Sequence, residues 1–427
     1  MKRALAWGMV AAVLLVFVVR CTGAFDGQAT DERSVRIFAP WMANDADLFM
    51  ASIEDFDAGR VQIRYTGSLD FTADLRDRAI DGIDVPDVAV VPQPGLIQDL
   101  IDANRLVPFD QTVLDALAAN YPPERWQTDD GPVYAFPYRD IVKSLVWYRP
   151  DVWAEHGWAV PTTIQELEQL ATEIADSGGM APWCFGLYSG VDTGWPATDW
   201  VEDLLLRTAG PDVYDDWVAG TIGFSNVQVE AAFELFASLV LQQGRVAGGT
   251  RTMLQTRLPA IDDPLFADEP GCAMYKQASF ATSWFPADAT IAPDGDVYAF
   301  VLPGARADEP PPLLVSGDSM VQMAEGSDVD AFLAFAASPS GADVWASSGG
   351  YLSSRSSVDP DTYYDERSRP IADILLQDHV VRFDGSDQLS SADRSLFFDL
   401  ITRWASNATS YSDLATLMDV ARADRAL

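Results

Sequence analysis

From Val35 onward, short apolar runs alternate with amphipathic stretches. VRIFAP (35–40) and VQIRYTG (61–67) are strand-like, and Leu48, Met50, Ile53 and Phe56 between them have a roughly helical spacing. FTADLRDRAIDG reads as a second helix, ended by Gly82, and PDVAVVPQ (86–93) is a run of the kind found in buried parallel strands. The pattern predicts β-α-β-α-β, the opening of an α/β domain. In such sheets ligands gather beyond the carboxyl ends of the strands. The residues there are Pro40, Trp41 and Met42, then Gly67, Ser68 and Asp70, then Gln93 and Pro94.

A second section begins near 140. TIQELEQLATEIADSGG carries Thr163 and Glu166 at capping-box spacing, Ile164, Leu167, Leu170 and Ile174 on one side, and Gly178 with Gly179 as the stop. The turn-rich segment SGVDTGWPATDW (189–200) then leads into DWVEDLLLRT, where Asp199 and Glu202 repeat that spacing and predict a helix start. Helical patterns continue to about 245. Strands return at GDVYAFVLP (295–303) and PLLVSGDSM (312–320), and the tail from 328 is mostly helical, with breaks at Pro339 and SSGGYLSSR. With 427 residues, 48% of them hydrophobic, two domains are expected, and the late strands imply a first domain completed by a later segment.

Charge narrows the partners. Sixty-four acidic against 28 basic residues give a net charge of -36, which argues against nucleic acid or an anionic membrane surface. Lys2 and Arg3 followed by an apolar run from Ala4 to Val19 read as an export signal (1–24), with 25–33 as a short tether. Cys21 stands where a lipoprotein cysteine would, but Arg20 precedes it in place of a small residue. Lipidation at Cys21, cleavage after Ala24 and an uncleaved anchor are the alternatives. Cys184 and Cys272 are the other cysteines, either one disulfide in an oxidising compartment or two buried thiols. His156 and His379 are isolated from them in sequence, so no metal site is expected.

Enzyme signatures are scarce: there is no phosphate loop, no nucleophile elbow, and no acid pair that spacing alone could nominate. Aromatic residues in loops stand out instead, namely Trp41, Trp195, Trp284 with Phe285, and Tyr351. A sugar ring presents an apolar C–H face that stacks on an indole, and its hydroxyls need polar side chains at the edge. Lys143 is one of three lysines (Lys2, Lys143, Lys276) in a chain that otherwise uses arginine, which suits a compact point donor.

IFAPW, YTGSLDF, PDVAVVPQPGLIQDL, GPVYAFPYRDIVKSLVWYRPDVWAEHGWAVPTTIQEL, TGWPATDWVEDLLLRTAGPDVYDDW and PLFADEPGCAMYKQASF together resemble the extracellular solute-binding proteins, family 1, of bacterial ABC importers, near the α-glucoside branch. The likeness spans roughly 34 to 420. It implies a two-lobed, type II periplasmic-binding-protein-like α/β fold, crossed near 139–143, 298–303 and 353–358, with hinge closure on a ligand. The lobes would be 34–139 plus 303–353, and 140–302 plus 354–427. It implies Trp41, Asp70, Gln93 and Asp318 from the first lobe and Trp195 and Asp199 from the second as ligand-binding residues, beside Lys143, Trp284 and Tyr351, while Trp200 is expected to pack. A cysteine in a PWC segment pairs with one in a PGC segment in such proteins, which maps onto Cys184 and Cys272. Val191 and Asp192 stand where small residues are usual. No cofactor is implied. The expected partners are a small carbohydrate and membrane permease subunits, and the expected state is an exported monomer. A receptor-coupled sugar sensor and a secreted glycoside-active enzyme are the competing readings.

Overall fold

The computed structural model describes residues 33–56, 61–127, 131–258, 260–375, 377 and 379–425. The export segment, Cys21 and the tether up to Glu32 lie outside the described residues. Among the described residues, the strands form one six-stranded and one four-stranded sheet.

In the first sheet β1 (Ser34–Ala39) lies parallel to both β2 (Gln62–Gly67) and β3 (Val88–Val91). The helices Ala43–Ser52 and Phe71–Asp81 make the connections, and the second stops at Gly82, whose φ of 65° is in the left-handed region. This is the β-α-β-α-β opening expected from the pattern. Val35, Ile37, Val88 and Val90 face one apolar cluster while Phe38, Ala89 and Val91 face another. Both faces are therefore covered, which is why these strands read as near-continuous apolar runs.

The sheet is completed by β4 (Ala135–Val142), β9 (Leu313–Gln322) and β10 (Val381–Phe383). β4 runs antiparallel to one edge of β9 along most of its length. The other edge of β9 pairs with β10 at 313–315 and with β3 at 319–322, so Ser316, Gly317 and Asp318 lie between these two pairings. β4 and β9 also link two cores: Phe136 and Met320 belong to the core of the first sheet, and Val142, Leu313 and Val315 to a core of the second. They are the hinge strands.

The second sheet has the order β6 (Ala181–Trp183), β7 (Cys272–Lys276), β5 (Leu145–Tyr148), β8 (Tyr298–Val301). Along β5, Val146 and Tyr148 enter one core and Leu145 and Trp147 the other, the period-two alternation of a strand buried on both sides. Cys184, just after β6, and Cys272, at the start of β7, form a disulfide with a Cα–Cα separation of 5.4 Å. This selects the paired alternative over free thiols.

Two local readings need correction. The helix expected to begin after Asp199 runs instead from Trp195 to Ala209, with Pro196 in its first turn and Gly194 as its N-cap. Gly194 has φ 118°, and a Cβ there would collide with the Phe398 carbonyl and the Thr402 hydroxyl. Asp199 and Glu202 therefore form no capping box. They lie inside a helix whose residues 196–207 are all buried, apolar ones included, and each polar member needs a partner. At Thr163 the cap does form: its hydroxyl accepts from Glu166 N at 3.2 Å, while the Glu166 carboxylate accepts from the N–H of Thr162, one residue before the cap, at 2.7 Å.

Candidate functional site

Lys143 stands where the chain leaves β4 for β5, its N–H donating to the Leu314 carbonyl of β9 at 2.8 Å. Its Nζ donates to Asp199 Oδ1 at 2.9 Å and Asp384 Oδ2 at 2.6 Å, and lies 3.6 Å from Asp387 Oδ2. Burial alone would lower the Lys143 pKa, but the three carboxylates hold it well above the usual lysine value. Burial pushes Asp199 up to about 8 against the pull of Lys143. Asp384 stays below its usual value despite burial, because Lys143 and the backbone N–H of Asp387 stabilise its charge. Lys143 is thus balanced chiefly by Asp384, with Asp199 the carboxyl that holds a proton more readily.

The same helix supplies the supports of this centre. Glu202 accepts from the backbone N–H groups of Gly385 (2.6 Å) and Ser386 (3.2 Å), fixing the segment that carries Asp384 and Asp387. Asp203 accepts from Ser144 at 2.8 Å, lies 3.1 Å from Lys276 Nζ, and also pairs with Arg207. Lys276 is a further donor, at 3.3 Å from the Lys143 and Asp199 carbonyls, and its ammonium stands 5.3 Å from the Trp200 ring centre. Trp200 itself packs edge-on to Trp183 at 4.9 Å, as expected for core.

Trp195 opens the helix and is only half-buried. The Lys143 ammonium lies 5.6 Å from its ring, and Phe280 stands 6.1 Å away and in turn contacts Trp284 at 5.1 Å. Asp70 is exposed just ahead of its helix, with Oδ1 only 3.1 Å from where a Cβ on Gly190 would sit. Gln93 is tied to Thr72 at 3.4 Å. Asp192, in the turn before Trp195, is raised by burial and also feels Asp70. Beside them, a Cβ on Gly95 would overlap the Leu389 carbonyl, and Ser391 N donates to Asp99 at 3.0 Å. The helix after β3 is thereby seated against residues 385–391.

Of the candidates, the structure joins Lys143, Asp199 and Trp195 by direct contact and Trp284 through Phe280, with Lys143 and Asp199 themselves buried, while Asp70 is coupled to Asp192 in the turn before Trp195 and Gln93 lies by Thr72. Three other candidates are engaged in packing. Trp41 is 3% exposed, within ring contact of Phe49, Tyr138 and Trp345, and donates to Asp318 Oδ2 at 3.0 Å. Asp318 also accepts from Arg139 Nε at 2.8 Å. Tyr351 is fully buried, donating to the Tyr138 carbonyl at 2.5 Å and pairing with Arg355. These three are part of the packed core, and an indole or phenol with both faces covered offers a ligand no surface. Sequence reasoning missed Asp384 and Asp387, more than two hundred residues from Lys143, and Arg394. A separate cavity of about 870 Å³, bordered by Ile291, Tyr298, Tyr364, Arg367 and Asp373, contains none of the candidate residues.

Residues 42–343 match the family of bacterial extracellular solute-binding proteins. The chain is 33% identical over 384 residues to the osmoprotective compounds-binding protein GgtB of Synechocystis sp., covering 89% of this chain and 90% of that one. It is 35% identical over 365 residues to the α-glucosides-binding periplasmic protein AglE of Rhizobium meliloti, covering 83% and 79%. Among solved structures, a chitin oligosaccharide binding protein superposes with a TM-score of 0.77 at 15% identity, covering 92% and 99% of the two chains. Maltose-bound MalE3 of T. maritima gives 0.72 at 15%, covering 90% and 98%. These neighbours have the two-lobed periplasmic-binding-protein fold. The family match, the sequence identity and the shared fold show that this chain belongs to the bacterial extracellular solute-binding proteins.

Proposed function

We propose that the protein is the exported receptor of an ABC importer, which captures an α-glucoside or short oligosaccharide between lobes 34–139 plus 303–353 and 140–302 plus 354–427 and hands it to the membrane permease. The observation that carries this reading is the half-buried Trp195, within ring reach of Lys143 and Phe280, with Asp192 in the turn just before it coupled electrostatically to Asp70 of the first lobe. An aromatic platform rimmed by hydrogen-bonding side chains suits a sugar's apolar face and hydroxyl edge. The relatives named above are binding proteins, and the reading assigns no turnover. It takes the protein as a monomer, held at the membrane by a lipid on Cys21 or by its apolar N-terminal run.

Intrinsic fluorescence and calorimetric titration against mono- and oligosaccharides, with amino acids and peptides as controls, test this. Saturable binding confined to glucosides, with the sugar recovered unchanged and weakened roughly tenfold or more by Trp195→Ala, is the expected result. Binding to every sugar unaltered by Trp195→Ala would refute the site, and product formation would refute the transport role.

A further inference from the structure

Arg394 is fully buried in the helix Ser391–Ala405, yet Nε, Nη1 and Nη2 all lack a hydrogen-bond partner among the described residues. No other arginine described here has all three nitrogens in that condition: Arg245 and Arg367 each leave a single one unmet. A desolvated guanidinium without acceptors is among the more unfavourable groups a folded chain can hold. It persists where something else supplies the acceptors. The nearest ring is that of Phe398, 6.0 Å away, which satisfies none of its N–H groups.

Its surroundings are those of the cleft. Asp192 and Asp387 are both within electrostatic reach of Arg394 without forming an ion pair with it. Asp192 in turn feels Asp70, and Asp387 approaches Lys143 at 3.6 Å. Arg394 is thereby linked, through Asp192 and Asp387, to Asp70 and Lys143, close to where residues 385–391 meet the helix after β3. Gly194, which starts the Trp195 helix, packs directly on the Phe398 carbonyl of the Arg394 helix.

We infer that Arg394 grips the bound glycoside, its planar fork donating to two adjacent hydroxyl oxygens while Asp192 and Asp387 accept hydrogen bonds from those hydroxyls. The ligand class this selects is an uncharged glycoside with a vicinal diol. A carboxylated or phosphorylated sugar would satisfy the guanidinium but would stand against Asp70, Asp192 and Asp387, an acidic surround that repels anions. The inference rests on the carbohydrate-receptor reading above, and sharpens it by naming a residue and a charge state.

The experiment is a calorimetric titration of the full-length protein in mild detergent with maltose, trehalose and sucrose, and with their uronic-acid counterparts. Titrations are repeated for Arg394→Met and Arg394→Lys, with thermal unfolding of each ligand-free variant. Wild-type protein that binds no sugar fails the receptor reading itself, and with it this inference. Given wild-type binding, Arg394→Met is expected to raise Kd roughly 10- to 100-fold. The ligand-free unfolding midpoint should fall little, since the change breaks no hydrogen bond or ion pair and removes a desolvated charge, against the lost attraction to Asp192 and Asp387. A merely structural arginine would behave oppositely, lowering the midpoint and sparing Kd. Deoxy sugars lacking one hydroxyl of the gripped pair should lose affinity with the wild type but little more with Arg394→Lys. If Arg394→Met proves unfolded by near-ultraviolet circular dichroism, the deoxy series on wild type and Arg394→Lys decides. Unchanged Kd in a folded variant, or tighter binding of the uronic acids than of the neutral sugars, would overturn the proposal.

Discussion

Lys143→Met removes one ammonium from a buried centre that includes Asp199, Asp384 and Asp387, and leaves a side chain of similar length. Asp384 is fully buried and held in its charged form mainly by this lysine, so the variant strands a carboxylate or forces it to take up a proton. Removing one partner of a buried ion pair typically destabilises by about 3 to 5 kcal/mol. With an unfolding entropy of about 2.1 cal/mol/K per residue over roughly 400 residues, that becomes a fall of about 4 to 6 °C in Tm. The defect has a pH signature: it should shrink toward pH 5, where the stranded carboxylates accept protons more readily. Adding Asp384→Asn should restore part of the loss at neutral pH. Scanning calorimetry of the single and double variants at pH 5 and pH 8 reads all of this. A Tm within about 1 °C of wild type at both values would refute the view that Lys143 is the centre's counter-charge.

Reduction, or Cys184→Ser, opens the bridge between residues separated by 88 in sequence and should destabilise by roughly 4 to 5 kcal/mol in the chain-entropy model, about 5 °C in a thermal scan. Burial raises Asp199 to about 8 and Asp262 to about 7; each favours its protonated form in the fold, so their contribution is complete below about pH 4 and is lost as pH rises to 7 or 8. The thermal midpoint should therefore fall across that window, and Asp262→Asn should reduce the slope. Gly95→Ala should push residues 388–389 away, costing about 1 to 3 kcal/mol. It should weaken sugar binding and enlarge the liganded particle in X-ray scattering, and unchanged scattering would argue against this contact as part of closure.

The first sheet's opening was legible because its strands and helices are local: β1 to β3 follow one another with complete apolar patterns, and Gly82 marks a stop that its backbone angle requires. By pattern alone β4 and β7 were not read as strands, because Arg139, Asp140 and Lys276 break their apolar runs and are explained only by partners distant in sequence; the crossing at 139–143 came from the family resemblance, and β5 is only four residues long. The rarity of lysine did point to Lys143, and the same signal applied to Lys276 would have found the Asp203 pair. Trp195 was read as lying in a turn because Gly and Pro surround it, whereas Pro196 belongs to the first turn of a helix. Trp41 and Tyr351 sit at sequence positions that suit a pocket, but Phe49, Tyr138 and Trp345 cover them, and nothing local announces such a cluster. Arg394 carried no sequence signal at all.

The place of β9 in the first sheet also bears on how the molecule is made. β3 ends at Val91, yet the strand that pairs with its outer edge begins only at Leu313, after the whole second sheet has been laid down. Pairings this distant in sequence form slowly, since the loop between them must close before the contact stabilises anything. A growing chain, or one released early, therefore carries β3 with an open edge, a template for association with other chains. Synthesis past Gln322, whose strand covers that edge, is the point at which that hazard ends.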